Sequence, residues 1–154
     1  MAIKFDKTDL AILRLIQEDS RITIKEMAAQ LHLSTTPIFE RLKRLEKQGV
    51  IQKYVALVDP HKLGKKLDAF IHISIKDHSK NAVDEFVDQV KNYPEVMECY
   101  HVTGDSDFLL KVVLEDIDQY NRFITEKLST VGNIGTLKSS FSLSVRKKTT
   151  AYHL

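Results

Sequence analysis

A chain of 154 residues with 43% hydrophobic and 29% charged residues has the make-up of a folded globular protein of one domain or two small ones, which excludes a disordered chain. A single cysteine, Cys99, excludes an internal disulfide framework and fits a reducing compartment. The net charge of +2 is too small to name a partner, but it is unevenly spread: residues 40–53 carry five basic and two acidic side chains, residues 77–126 four basic and twelve acidic, and residues 138–154 four basic and none acidic.

The opening stretch MAIKFDKTDLAIL has neither the apolar core nor the small-residue cleavage site of a secretion signal. The strongest apolar run, FLLKVVL, is interrupted by Lys111 and is too short for a membrane span. The expectation is a soluble protein of the cytoplasm.

Asp6 and Asp9 place carboxylates at the positive end of a first helix, whose stripe of Leu10, Leu13 and Ile16, with Ile12 beside it, ends near Glu18. Thr23 followed three residues later by Glu26 is a reciprocal capping pair for a second helix. Its Ile24, Met27, Ala28 and Leu31 recur at helical spacing. Ser34 is placed to cap a third helix, Pro37 falls in its first turn, and Gly49 supplies a left-handed stop. Two short helices joined by a tight turn, the second held by Ile38, Leu42 and Leu45, form a helix-turn-helix unit. The following VIQKYVALVD reads as a wing or connecting strand.

In such a unit the second helix of the pair enters the major groove with its N-terminal residues nearest the base edges. Ser34 starts that helix; Thr35, Thr36, Phe39, Glu40 and Lys43 are the candidates for reading bases, with Phe39 suited to a thymine methyl group. Arg41, Arg44 and Lys47 are the candidates for phosphates, which position a protein without reading sequence. The bland alternative is a solvated charged face. Phe39 argues against it, because the core stripe of the helix is already supplied.

Residues 59–67, containing DPHKLGKK, form a hinge between a 1–58 domain and a 68–154 domain. Beyond it Ile71, Ile73 and Ile75 share one strand face, with Phe70, His72 and Ser74 on the other. Val83, Phe86, Val87 and Val90 form a helix ending before Pro94, and Val96 to Thr103 is a second strand. TGDSD is a tight turn, and Phe108 to Leu114 is the third strand. Asp116 caps a helix with Ile117, Tyr120, Ile124 and Leu128, and Thr136 to Val145 is the last strand. This doubled strand-helix-strand order predicts a ferredoxin-like α+β domain: a four-stranded antiparallel sheet with two helices on one face. The uncovered face, with Phe70 and His72, is expected to pair with a second copy.

Taken together, the stretch FDKTDLAILRLIQEDSRITIKEMAAQLHLSTTPIFERLKRLEKQGVIQKYVALVDPHKLG and the later VTGDSDFLLKV resemble the Lrp/AsnC (leucine-responsive/asparagine-responsive, feast/famine) family of transcriptional regulators over essentially the whole chain. The resemblance implies a winged helix-turn-helix DNA-binding domain followed by a ferredoxin-like effector-binding domain. It implies dimers, often assembled into octamers, an amino acid or related metabolite bound between dimers, and control of amino-acid metabolism genes. Carried onto this chain, the sensing loop is Thr103, Gly104, Asp105, Ser106 and Asp107, with Ser139 and Ser140 as donors from a neighbouring chain. The chemistry fits, since an amino acid needs an anion for its ammonium and N–H donors for its carboxylate. The competing reading is a hairpin turn and nothing more.

A rival built on the same fold is a siroheme decarboxylase-like enzyme, in which His72 and His101 would face a tetrapyrrole; the capped, basic reading unit argues against it. The six histidines have no zinc-ligand spacing and no nucleophile or dinucleotide motif occurs, so no metal, cofactor or catalytic residue is assigned. The basic RKKTTAYHL stretch is left open between DNA, a partner and solvent.

Overall fold

The computed structural model describes residues 3–154; the first two residues of the expected 1–58 domain lie outside them. Internal contacts divide the chain into a helical unit, running to Leu57 and including Lys147–Leu154, and a sheet unit, Val58–Arg146. The expected boundaries placed everything after residue 68 with the sheet; the structure returns the last eight residues to the helices.

The helical unit has α1 (Lys7–Glu18), α2 (Ile24–Gln30) and α3 (Thr35–Lys47). Both expected starts are reciprocal caps. The Asp6 carboxylate accepts from the Asp9 N–H at 2.8 Å while the Asp9 carboxylate accepts from the Asp6 N–H at 3.2 Å. Thr23 and Glu26 do the same for α2. Ser34 occupies the cap position of α3 but makes no side-chain cap hydrogen bond. The turn between α2 and α3 is closed by His32 at φ 53, a left-handed conformation that histidine tolerates better than most side chains. Gly49 at φ 72 ends the third helix as expected. Ile12, Leu13, Met27, Ala28, Ile38 and Leu45 form the buried core, with Leu42 and Leu154 packed at its edge.

One charged group lies inside this unit among the described residues: Asp9, 2% exposed. A buried carboxylate is costly unless paired and hydrogen-bonded. Asp9 is both. Its Oδ1 accepts from Arg41 Nη1 at 2.7 Å and from Arg44 Nη2 at 2.5 Å, and Arg41 Nη1 also reaches Asp6 Oδ2 at 2.6 Å. One carboxylate thus holds α3 against α1 through two successive turns. The Asp9 N–H and then Arg41 keep the Asp6 carboxyl below its ordinary value of 3.8, and the two aspartates hold Arg41 protonated still more firmly.

The stretch expected as a wing strand, VIQKYVALVD, forms no strand and belongs to no ladder. A strand needs a second one to take up its N–H and C=O groups, and the described residues offer none beside it. Leu57, 72% exposed, is left open on it. Tyr54 is the anchored residue: its OH donates to Glu46 Oε1 at 3.0 Å, and burial followed by that carboxylate pushes its pKa up to about 12.

In the sheet unit, a single 3₁₀ turn at His61–Leu63 leads into β1 (Leu67–Ile75), then α4 (Lys80–Val90), β2 (Val96–His101), β3 (Phe108–Leu114), α5 (Ile117–Arg122) and β4 (Ile134–Phe141). The sheet is antiparallel with order β2-β3-β1-β4, the ferredoxin-like arrangement. Ala69, Ile71, Ile73 and Ile75 of β1 and Phe108, Leu110, Val112 and Leu114 of β3 are buried on one face with Phe86, Val90, Phe123 and Leu128. The helix expected through Leu128 is not one regular element. After Arg122 it widens into a π turn (Phe123–Lys127) and tightens into a 3₁₀ turn (Leu128–Thr130). One extra residue in the turn still lets Phe123 and Leu128 face the core. On the opposite face Phe70 pairs with Lys111 and Ser140, and His72 with Leu109 and Lys138.

Asp9→Asn keeps the shape but removes the charge that both guanidiniums share, and should cost the helical unit about 2–4 kcal/mol, read by chemical denaturation. Asp6 and Glu26 both have folded pKa values below their ordinary 3.8 and 4.5, so each contributes stability that is present above the ordinary value and lost as pH falls through the lowered one. Acid unfolding of this unit should therefore steepen below about pH 4, and Asp6→Asn should flatten that limb.

Candidate DNA-reading face and effector turn

The α2–turn–α3 arrangement leaves one side of α3 outward. Ser34, Thr35, Thr36, Phe39, Glu40, Lys43 and Lys47 are exposed on it, while Ile38 and Leu45 point to the core. Phe39 is 46% exposed, an unusual position for a phenyl ring, and the Lys43 ammonium lies 5.8 Å from its centroid. A flat apolar ring beside a cation and two hydroxyls suits a groove floor of methyl groups and polar base edges. Lys47 is exposed on the last turn with no ion pair among the described residues.

The three expected phosphate contacts are not equivalent. The Arg41 guanidinium is engaged by Asp6 and Asp9, with its side chain 28% exposed. Arg44 shares Asp9 but remains 46% exposed, so part of its fork faces outward. Lys47 alone of the three has no ion pair or side-chain hydrogen bond among the described residues. The sequence contains the signal for this. Asp9 stands at i, i+3, i+4 and i+7 with Ile12, Leu13 and Ile16, so a carboxylate sits on the buried stripe of α1 and requires cations from elsewhere.

The second site is the turn between β2 and β3. Gly104 at φ 118 makes the bend, in a region where a side chain would be strained. The Val102 N–H donates to the Asp107 carbonyl at 2.8 Å and the Asp107 N–H to the Ile73 carbonyl at 2.9 Å, so the turn is sewn to the end of β1. The two aspartates have different surroundings. Asp107 Oδ2 accepts from the Ile75 N–H at 2.8 Å, and Oδ1 lies 3.0 Å from His78 Nε2. The Ile75 N–H, then His78, keep this carboxyl below its ordinary value. Asp105 is exposed, and its carboxylate bonds to nothing among the described residues, although its carbonyl accepts from Ser74 Oγ at 3.3 Å. Thr103 is exposed beside it, and Ser106 Oγ is 3.4 Å from His72 Nδ1.

Ser139 and Ser140 do not join this turn within one chain. They lie on β4, separated from β3 by β1, and point to opposite sheet faces. Ser139 pairs with buried Ile71 and accepts from the Tyr120 OH at 2.7 Å, which fixes α5 to the sheet. Ser140 pairs with Phe70 on the open face. The sequence also gave no hint of Asn133, which at φ 68 takes the Lys76 and Asp77 N–H groups on its side-chain oxygen and closes the far end of β1. Among the described residues no group of three or more potential ligands could hold a metal ion, and no helix is long and apolar enough to cross a membrane.

Known proteins share both halves. The winged helix-turn-helix DNA-binding family matches residues 5–52 and the Lrp/AsnC ligand binding domain family matches residues 68–152. The chain is 36% identical to the DNA-binding transcriptional activator DecR of Escherichia coli over 95% of its length and 96% of that protein's. It is 33% identical to the Bkd operon transcriptional regulator of Pseudomonas aeruginosa, over 91% of this chain and 92% of that one. Among solved structures, a Neisseria meningitidis transcriptional regulator in complex with L-Met superposes with a TM-score of 0.92 at 35% identity, covering 97% of both chains. These relatives are named as regulators, which supports a non-enzyme and gives nothing to the tetrapyrrole alternative. With both family matches in chain order across two units of the expected fold, the chain belongs to the Lrp/AsnC family of DNA-binding transcriptional regulators.

Proposed function

We propose that α3 reads its operator with Thr35, Thr36, Phe39, Glu40 and Lys43, and that Lys47 and the outward part of Arg44 meet phosphates. The observation that carries this reading is the Phe39–Lys43 pair, exposed on the side of a capped helix whose core side is already filled. Arg41 is assigned a different task from the one expected of it: with Asp6 and Asp9 on its guanidinium, it holds the reading helix in place.

The effector is an amino acid, as in the L-Met complex of the Neisseria meningitidis relative, and it is held at the turn from Thr103 to Asp107. Asp105 takes the ammonium because Asp107 has already committed both oxygens to Ile75 and His78. The N–H groups around Gly104 face the carboxylate. Ser140 contributes from a second copy, since it lies on the open sheet face. The working unit is a homodimer that assembles toward an octamer in the cytoplasm, and the genes it controls belong to amino-acid metabolism.

Lys47→Ala should weaken binding to every duplex and reduce the slope of log affinity against log salt by about 1. Arg41→Ala should instead lower the thermal stability of the helical unit and leave that slope nearly unchanged; a slope reduced as much as by Lys47→Ala would return Arg41 to the phosphates. Calorimetry of Asp105→Ala should lose the rise in melting temperature that a saturating amino acid gives the parent protein. An undiminished rise would leave the turn a purely structural hairpin.

A further inference from the structure

The basic stretch left open by the sequence has a definite place. The segment Lys147–Leu154 belongs to the helical unit, and the main chain of Tyr152 and Leu154 is bonded to one side of α1. The contacts follow helical spacing. Gln17 pairs with the main chain of Tyr152 as a neighbouring strand would: the Tyr152 N–H donates to Gln17 Oε1 at 2.7 Å, and Gln17 Nε2 donates to the Tyr152 carbonyl at 3.2 Å. One turn earlier on the same side, Arg14 donates to the main-chain oxygen of Leu154 from Nε at 2.8 Å and also from Nη2. The Leu154 side chain inserts at the edge of the core formed by Ile12, Leu13 and their neighbours. Tyr152, 81% exposed, and His153 point away.

Three recognition elements thus meet on two turns of helix: an amide fork for the main chain, a guanidinium for a main-chain oxygen two residues on, and the apolar edge of the core for the side chain at that position. This is how an extended peptide is bound, with main-chain bonds giving affinity and one pocket giving selectivity. We propose that the side of α1 carrying Arg14 and Gln17 is a peptide-binding site, that its occupant is the chain's own Ala151–Leu154, and that Leu154 is the one side chain it selects. Tethering makes weak contacts sufficient, because a linker of a few residues presents the segment at millimolar effective concentration. Arg14 and Gln17 stand apart from the residues assigned to DNA or effector, so the clasp does not depend on either assignment.

Trypsin applied to the folded, full-length protein reads the clasp directly. Cleavage after Lys147 or Lys148 needs the flanking residues free and extended, and mass spectrometry follows release of the fragment that begins at Lys148 or Thr149. Release should be about tenfold faster or more in the Arg14→Ala/Gln17→Ala double variant, and equally in Leu154→Asp. Leu154→Asp acts from the segment side and keeps the test valid should the double variant fold poorly. Tyr152→Ala should release at the parent rate. Equal rates in parent and Leu154→Asp would overturn the site, and acceleration by Tyr152→Ala matching that of Leu154→Asp would overturn the assignment of Leu154 as the selected residue.

Discussion

The buried Asp9 carboxylate is the interaction on which the reading face depends. It is 2% exposed and must be neutralised where it stands. The cations that do so, Arg41 and Arg44, come from the helix that faces outward. Fixing them takes up Arg41 and part of Arg44, groups that a simple count of basic residues would assign wholly to phosphate. In return the angle between α1 and α3 is set by charge-assisted hydrogen bonds as well as by apolar packing. Directional bonds specify one arrangement where apolar contact tolerates several. The proposed reading of base edges by Thr35, Thr36 and Phe39 calls for such a constraint.

The same division of labour recurs in the effector turn. Of two aspartates one residue apart, Asp107 is consumed by the architecture: its oxygens hold the Ile75 N–H and His78, and its main chain is tied to Ile73 and Val102. That leaves Asp105 at the tip with an unengaged carboxylate. A turn held by its own main-chain bonds, with one charge left at its tip, is the arrangement the proposed amino-acid site calls for.

How much of this was legible in the sequence depends on the range of the interaction. The caps at Asp6 and Thr23, the stop at Gly49 and the alternation along β1 and β3 are local, and the elements formed where these signals stood. The wing did not form as a strand, because β-propensity in VIQKYVALVD is an offer that needs a partner, and none lies beside it among the described residues. The π turn at Phe123 was hidden because Ile117, Tyr120, Ile124 and Leu128 fit a regular helix equally well. Roles of charged residues were the least legible. Arg41 and Lys47 are both cations on one helix, and what separates them is the reach of Arg41 across 32 residues to Asp9 and 35 to Asp6. The tail gave no signal at all, since neither its composition nor its charge names Arg14 and Gln17 as the groups that hold it.

Recognition of a particular DNA sequence by the outward side of α3 is what every assignment on that helix rests on. Fluorescence anisotropy of the full-length protein against a labelled duplex from upstream of its own gene, beside a scrambled duplex of equal length, tests it most directly. A salt series separates phosphate contacts from base contacts. The account requires tighter binding to the natural duplex at every salt concentration, with affinity for both falling steeply as salt rises. Equal affinity for the two duplexes, or no binding to either at low salt, would contradict it.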